Sequence, residues 1–329
     1  MTKTANHQFQ GNVVEENLAN LPSGDVLIQV EYSSLNYKDA LSATGNPGVT
    51  KKYPHIPGID AAGKVVRSDV SQFKVGDSVL VTGFDLGMNT WGGFSQYIQV
   101  PGNWVLPLPD GLTSKESMIL GTAGLTAALC VDKLRHNGIQ PESGEILVTG
   151  ATGGVGSLAI AILAKLGYEV VAATGKYQQQ DWLLELGAKL VISRQEIEDQ
   201  TAKPLLSGRW ASAVDTVGGN ILATVLKSTQ YGGCVTSCGL VGGANLNTTV
   251  YPFILRGVSL VGIDSVQFSR EKRREMWQKL ADDWKPLNLE KIYSSVTLED
   301  LSTKLQVILA GGNVGRLVLD LMPNVTEEG

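Results

Sequence analysis

Cysteine and histidine are scarce in this chain. Its 329 residues hold three cysteines (Cys130, Cys234 and Cys238) and three histidines (His7, His55 and His136). An odd, sparse cysteine set makes no disulfide framework. As a metal pair, Cys234 and Cys238 would need two further ligands that the scattered histidines do not offer, so no metal site is expected. No apolar run approaches the roughly 18–20 residues of a membrane span, and no membrane partner is expected. Net positive charge is also missing: the formal charge is −5 and the pI about 5.3, which argues against a nucleic-acid partner. The first stretch, Met1 to Gly11, is polar and lacks a hydrophobic signal core, giving the expectation of a cytoplasmic protein.

What is abundant is glycine, at 38 residues, above the usual share of about 7%. Many tight turns and close backbone approaches follow. The length predicts about two domains, and the chain does change character near Pro109. From Asp25 to Trp104, short β-rich runs such as Val26–Val30, Gly63–Val66, Ser78–Val81 and Phe94–Val100 are broken by Gly, Pro and Asp, the pattern of a small, mostly antiparallel barrel. Beyond it, Thr113 to Asn137 reads as one long apolar helix stopped by Gly138. Apolar strands at Ile146–Thr149, Glu169–Ala173, Lys189–Ile192, Ala213–Asp215, Cys234–Thr236 and Ser259–Gly262 then alternate with helices. Such alternation is the mark of a parallel sheet covered on both faces. The last stretch ends in the strand-like Arg316–Leu319, placed as a strand returning to the N-terminal barrel.

The segment richest in chemistry is Leu147-Val148-Thr149-Gly150-Ala151-Thr152-Gly153-Gly154-Val155-Gly156, set between an apolar strand and a helix. In that context small residues let the backbone approach a pyrophosphate, whose charge meets free N–H groups at the positive end of the helix dipole. Ala151 stands where the commonest fingerprint has its first glycine. The bland alternative is a turn that only needs small residues. An enzyme that prefers the 2′-hydroxyl of NAD places a carboxylate at the end of the second strand. Here that strand ends Ala172-Ala173-Thr174-Gly175-Lys176, without a carboxylate. Lys176 can pair with a 2′-phosphate and Arg194 can close the same pocket, so NADP(H) is favoured; otherwise both are solvated loop charges.

With these pieces in place, the chain resembles the medium-chain dehydrogenase/reductase superfamily, in particular its zinc-independent quinone oxidoreductase and acryloyl-CoA reductase branch. The resemblance runs over nearly the whole length through Ser33–Asp39, Ile56–Asp60, Trp91–Gly93, Gly121–Gly124, Gly150–Gly156, Asp215–Gly218, Tyr231–Cys234, Cys238–Leu240 and Pro252–Arg256. It implies an α/β fold, with a GroES-like β-barrel catalytic domain (1–117 and 295–329) and a doubly wound Rossmann domain binding NADP (118–294). The positions that hold catalytic zinc in metal-dependent relatives carry Asn36, Ile59-Asp60 and Thr122, and Ile59 cannot ligate. Without a Lewis acid, alkoxide chemistry is disfavoured, leaving hydride donation from NADPH to an acceptor activated by conjugation.

The same resemblance implies that Thr152, Gly153, Gly154 and Val155 contact the pyrophosphate, with Thr174, Gly175, Lys176 and Arg194 around the adenosine phosphate. Leu240, Ile254 and Ser265 lie along the nicotinamide half. Tyr37 is the candidate catalytic residue, also contacting the cofactor, because a phenol can donate to a developing enolate or relay a proton. Asn36 either orients the substrate carbonyl or only caps a helix. Lys38 and Asp39 are expected as surface charges. Arg270 to Glu275 reads as a solvated helix face, or as a patch for a CoA phosphate; Lys51 and Lys52 are a second place for such a phosphate. A homodimer is expected, with a small unsaturated acyl-CoA as substrate. Quinone reduction and NADPH sensing without turnover are the alternatives.

Overall fold

The computed structural model describes residues 1–3 and 9–322; His7 and part of the polar N-terminal stretch lie outside them. The principal elements, in chain order, begin with β1 (Val26–Leu35), α1 (Tyr37–Ala43), β2 (Asp60–Ser68), β3 (Ser78–Thr82), β4 (Tyr97–Val100) and β5 (Leu106–Pro107). The long α2 (Ser114–His136) leads to β6 (Ile146–Thr149), α3 (Gly154–Lys165), β7 (Val170–Thr174), α4 (Gln180–Glu185) and β8 (Leu190–Ser193). Next come β9 (Trp210–Asp215), α5 (Gly219–Ser228), β10 (Thr229–Ser237), α6 (Tyr251–Arg256) and β11 (Ser259–Gly262). The chain ends with α7 (Arg270–Ala281), β12 (Tyr293–Val296), α8 (Leu301–Leu309) and β13 (Arg316–Asp320).

Two compact units result, one of 1–122, 266–274 and 289–329, the other of 123–265 and 275–288. The first unit is built on a seven-stranded sheet in the order β12-β13-β1-β2-β3-β5, with β4 also paired to β1. Only β12 and β13 are parallel; the other pairs are antiparallel. Along β1, Val26, Ile28 and Val30 point into the core while Gln29 between them is exposed, the two-residue period of a half-buried strand. The C-terminal β13 does return to this sheet, with Leu317 opposite Leu35 and Leu319 opposite Ser33.

The second unit carries a six-stranded, wholly parallel sheet in the order β8-β7-β6-β9-β10-β11. Strands β6, β7 and β9 are buried along their whole length, so they read as unbroken apolar runs rather than alternating ones. The strand order reverses at β6 and β9. In an open α/β sheet that reversal leaves a crevice beyond the carboxyl ends of the strands.

Three expectations need correction. The helix expected without interruption over 113–137 is broken at Gly121, whose φ of 52° and ψ of −156° are not helical. Its stretch Ser114–His136 is long and apolar enough to cross a membrane by composition, contrary to the reading that no run approaches a span. Since 89% of its apolar window is buried within the protein, it serves as a core helix. Finally, Arg270 to Glu275 is not a uniformly solvated face. Arg273 is fully buried, held between the rings of Phe84 and Phe268, and donates to the carbonyls of Thr82 (2.8 Å) and Val266 (2.8 Å). A planar guanidinium tolerates this because aromatic faces and carbonyls satisfy it together.

Candidate functional site

In the second unit, the end of β6 turns through Gly150 and Ala151 into α3. Gly153 N–H donates to the Gly150 carbonyl (2.9 Å) and Ser157 N–H to that of Gly153 (2.9 Å), closing the first helical turn. A Cβ on Gly156 would stand 2.4 Å from the Gly150 oxygen, so only glycine lets the helix approach the turn this closely. Gly153, Gly154 and Val155 stay partly exposed at the helix start, where free N–H groups and the dipole favour an anion. Ala151 is buried and pairs its N–H with Ala173 O on β7 (3.1 Å), a contact that needs no glycine.

The end of β7 meets the same turn. Thr152 and Thr174 share a hydroxyl contact of 3.3 Å, and Lys176 N–H donates to Thr174 Oγ1 (2.9 Å). The Arg194 guanidinium lies 4.0 Å from where a Cβ on Gly175 would stand. Thr152, Thr174, Gly175, Lys176 and Arg194 are therefore brought together. Partial burial lowers the Lys176 pKa. Asp215, whose role was not read from the sequence, braces this end of the sheet. Buried at the end of β9, it accepts from Thr149 Oγ1 (2.8 Å) and Gly218 N–H (2.8 Å), and burial raises its pKa.

Beyond β10 and β11, a cavity of about 410 Å³ is lined by Ser237 to Leu240 and Gly262 to Asp264. Leu240 is part of that lining and Ser265 follows it directly in the chain. Ile254 lies on α6, exposed, and is not among the lining residues.

In the first unit, Asn36 and Tyr37 sit where β1 passes into α1. The centre of this region is the buried Asp60 carboxylate at the start of β2. Its Oδ2 accepts from Ser34 Oγ (2.6 Å), Asn36 Nδ2 (2.9 Å) and Thr122 N–H (2.8 Å), and its Oδ1 from Thr122 Oγ1 (2.5 Å). Arg316, at the start of β13, donates to Ile119 O (3.0 Å), Leu35 O (3.1 Å) and Asn36 Oδ1 (3.4 Å). Burial lowers its pKa while the charges of Asp60 and Asp39 act in the opposite direction, and a guanidinium stays ionised. The Asn36 amide also donates to Ser34 O (3.1 Å), so both its donors and its acceptor are engaged within the protein. The Tyr37 ring is 38% exposed, and its hydroxyl makes no hydrogen bond among the described residues.

Asp39 corrects another expectation. It is not a surface charge but wholly buried, accepting from Asn36 N–H (2.8 Å), Gly58 N–H (3.1 Å) and Ile59 N–H (2.9 Å). The third helical position of α1 faces back onto the loop before β2, which no local spacing discloses.

These residues do not fit a catalytic metal. Asn36, Asp60 and Thr122 do come together, but Ile59 offers no ligand and Asp60 already accepts from four protein donors, three of them on Oδ2. Among the described residues no group of three or more His, Cys, Asp or Glu could hold a metal ion.

Comparison with known proteins gives a consistent result. Residues 22–110 match the alcohol dehydrogenase GroES-like domain, and residues 154–282 match the zinc-binding dehydrogenase family. Acrylyl-CoA reductase AcuI of Ruegeria pomeroyi is 47% identical over 95% of this chain and 94% of its own. YhfP of Bacillus subtilis, provisionally named a quinone oxidoreductase, is 49% identical over 92% of each. The yhdH oxidoreductase of Salmonella enterica, solved in complex with NADP, superposes with a TM-score of 0.93 at 44% identity, covering 96% of this chain and 97% of that one.

Gly121 generates a test of the Asp60 cluster. A Cβ there would stand 2.4 Å from Ser34 Oγ, 2.7 Å from Asp60 Oδ2 and 2.9 Å from Arg316 Nη2, at a backbone conformation almost confined to glycine. Gly121→Ala is expected to cost about 2–4 kcal/mol in urea unfolding, from strain and overpacking together; a loss below about 0.5 kcal/mol would mean that the cluster is not packed as described.

Proposed function

The chain belongs to the zinc-independent acryloyl-CoA reductase and quinone oxidoreductase family of the medium-chain dehydrogenase/reductase superfamily, and from that premise we propose an NADPH-dependent reductase of small α,β-unsaturated acyl-CoA thioesters. The observation that carries the reading is the Asp60 carboxylate, held by four protein donors. Where a zinc dehydrogenase needs open ligands, this chain has a closed hydrogen-bond cluster, which favours an acceptor already made electrophilic by conjugation. The likeness to the Ruegeria enzyme supports the acyl-CoA class.

When bound, NADPH supplies the hydride that is delivered to the β-carbon of the acceptor. The protein contributes position and charge. Thr152, Gly153, Gly154 and Val155 would hold the pyrophosphate on the N–H groups of α3. Thr174, Gly175, Lys176 and Arg194 would hold the 2′-phosphate, two cations answering its charge. Leu240, Ile254 and Ser265 would line the nicotinamide half. The free Tyr37 hydroxyl donates to the carbonyl oxygen as negative charge gathers there, the step at which an oriented donor matters most. Asn36 shapes the turn that presents it, since its amide is engaged by Ser34, Asp60 and Arg316.

We assign catalysis to residues 1–117 and 295–329, and cofactor binding to 118–294. The protein works in the cytoplasm, in keeping with three free thiols, which that compartment keeps reduced. It forms a homodimer. Support for this comes from β11, an outermost strand of its sheet, and from the exposed apolar residues Val250 and Leu255 just before it. Quinone reduction is the second reading, favoured by the likeness to YhfP.

Stopped-flow oxidation of NADPH with acryloyl-CoA and a soluble quinone in parallel separates the readings. A kcat/KM at least about 100-fold higher for the thioester is the expected result; turnover of quinone alone would select the second reading, and tight NADPH binding with neither would leave a sensor. For the phosphate pocket, Lys176→Ala combined with Arg194→Ala is expected to weaken NADPH binding by at least about tenfold and leave NADH binding nearly unchanged. Equal losses for the two cofactors, read by nicotinamide fluorescence titration, would remove the 2′-phosphate from that pocket.

A further inference from the structure

Two carboxylates, Asp39 and Asp60, are buried around one guanidinium, Arg316. Asp60 has four side-chain and backbone donors of its own. Asp39 has three, and all are backbone N–H groups from two separate segments: Asn36 at the start of α1, and Gly58 and Ile59 in the loop before β2. One side chain therefore ties the first turn of α1 to that loop. The next residue after Asn36 is Tyr37, whose own hydroxyl is tied to nothing among the described residues. Its position depends on the backbone that carries it.

We propose that Asp39 is a positioning residue for Tyr37, its carboxylate clamping the first turn of α1 to the Gly58–Ile59 loop. The inference rests on the assignment of Tyr37 to the reacting centre for its effect on rate, but not for its effect on the position of the ring. An ionised carboxylate accepts all three N–H groups. A protonated one carries a donor toward a ring of donors, and the clamp loosens.

The charged groups acting on Asp39 are Asp60 from β2 and Arg316 from β13. Burial first, and then the Asp60 charge, push its pKa up to about 7, against the pull of the Asn36 and Ile59 hydrogen bonds. The folded value lies above the ordinary carboxylate value of 3.8. Ionisation is therefore disfavoured by folding, and the clamp is complete only above about pH 7. As pH falls through that value the clamp opens, although global stability does not fall on this account.

The test is tyrosine NMR on the full chain labelled with 13C in the tyrosine ring, with Tyr37→Phe identifying the Tyr37 resonance. In the wild type the resonance is expected to titrate with a midpoint near 7. In Asp39→Asn that transition is expected to vanish, with kcat for acryloyl-CoA down by about tenfold or more and the NADPH Kd within about twofold. A Tyr37 resonance unchanged between about pH 5.5 and 8.5, or one that titrates equally in Asp39→Asn, would overturn the proposal. Because the wild-type titration needs neither the variant nor turnover, it stands apart from the reductase reading. A titrating resonance in a protein that reduces neither acceptor would support the clamp and sink the reductase.

Discussion

A buried carboxylate tied into a cluster of protein donors constrains the chemistry of this protein. Asp60 collects hydrogen bonds from β1, from the turn before α1 and from the break in α2, with the Arg316 guanidinium nearby. A charge this deep is tolerable only because its lone pairs are answered and an opposite charge is at hand. The same hydrogen bonds consume the groups that a metal would need. The acceptor must therefore bring its own electrophilicity, and the protein's task narrows to holding a donor and a cofactor in place.

The cofactor half works by a different economy. The backbone of one glycine turn and the start of one helix form a place that favours an anion, and a close approach at Gly156 fixes the turn. Lys176 and Arg194 stand at the next two strand ends, without any carboxylate at the end of β7. Asp215 stiffens the end of β9 by binding β6 through Thr149 and its own following turn through Gly218. Precision is thus placed on strand ends, which a fully buried parallel sheet holds still.

Much of this architecture was legible in the residues because the local patterns and the fold agree. Unbroken apolar strands announced the parallel sheet, short β-rich runs between turn residues announced the antiparallel one, and the glycine turn appeared in its strand-to-helix context. What escaped reading depends on contacts distant in sequence. Arg316 meets Leu35 across 281 positions, and no spacing rule reaches that far. Asp39 carried a readable hint, since Asn36 and Asp39 have the spacing of a helix start, but not the closure of the Gly58–Ile59 loop that buries it. Gly121 was passed over because a single glycine is tolerated in an apolar helix. Arg273 was misjudged although Met276, Trp277 and Leu280 mark one buried face at helical spacing, a stripe that already included it.

The central claim is conjugate hydride delivery to a thioester that activates itself. Its most direct test is single-turnover reduction of acryloyl-CoA with NADPH dideuterated at C4, followed by NMR of the saturated product. The account predicts one deuterium at the β-carbon and a solvent-derived proton at the α-carbon. Deuterium at the α-carbon, or at the carbonyl carbon of an aldehyde or alcohol product, would contradict it.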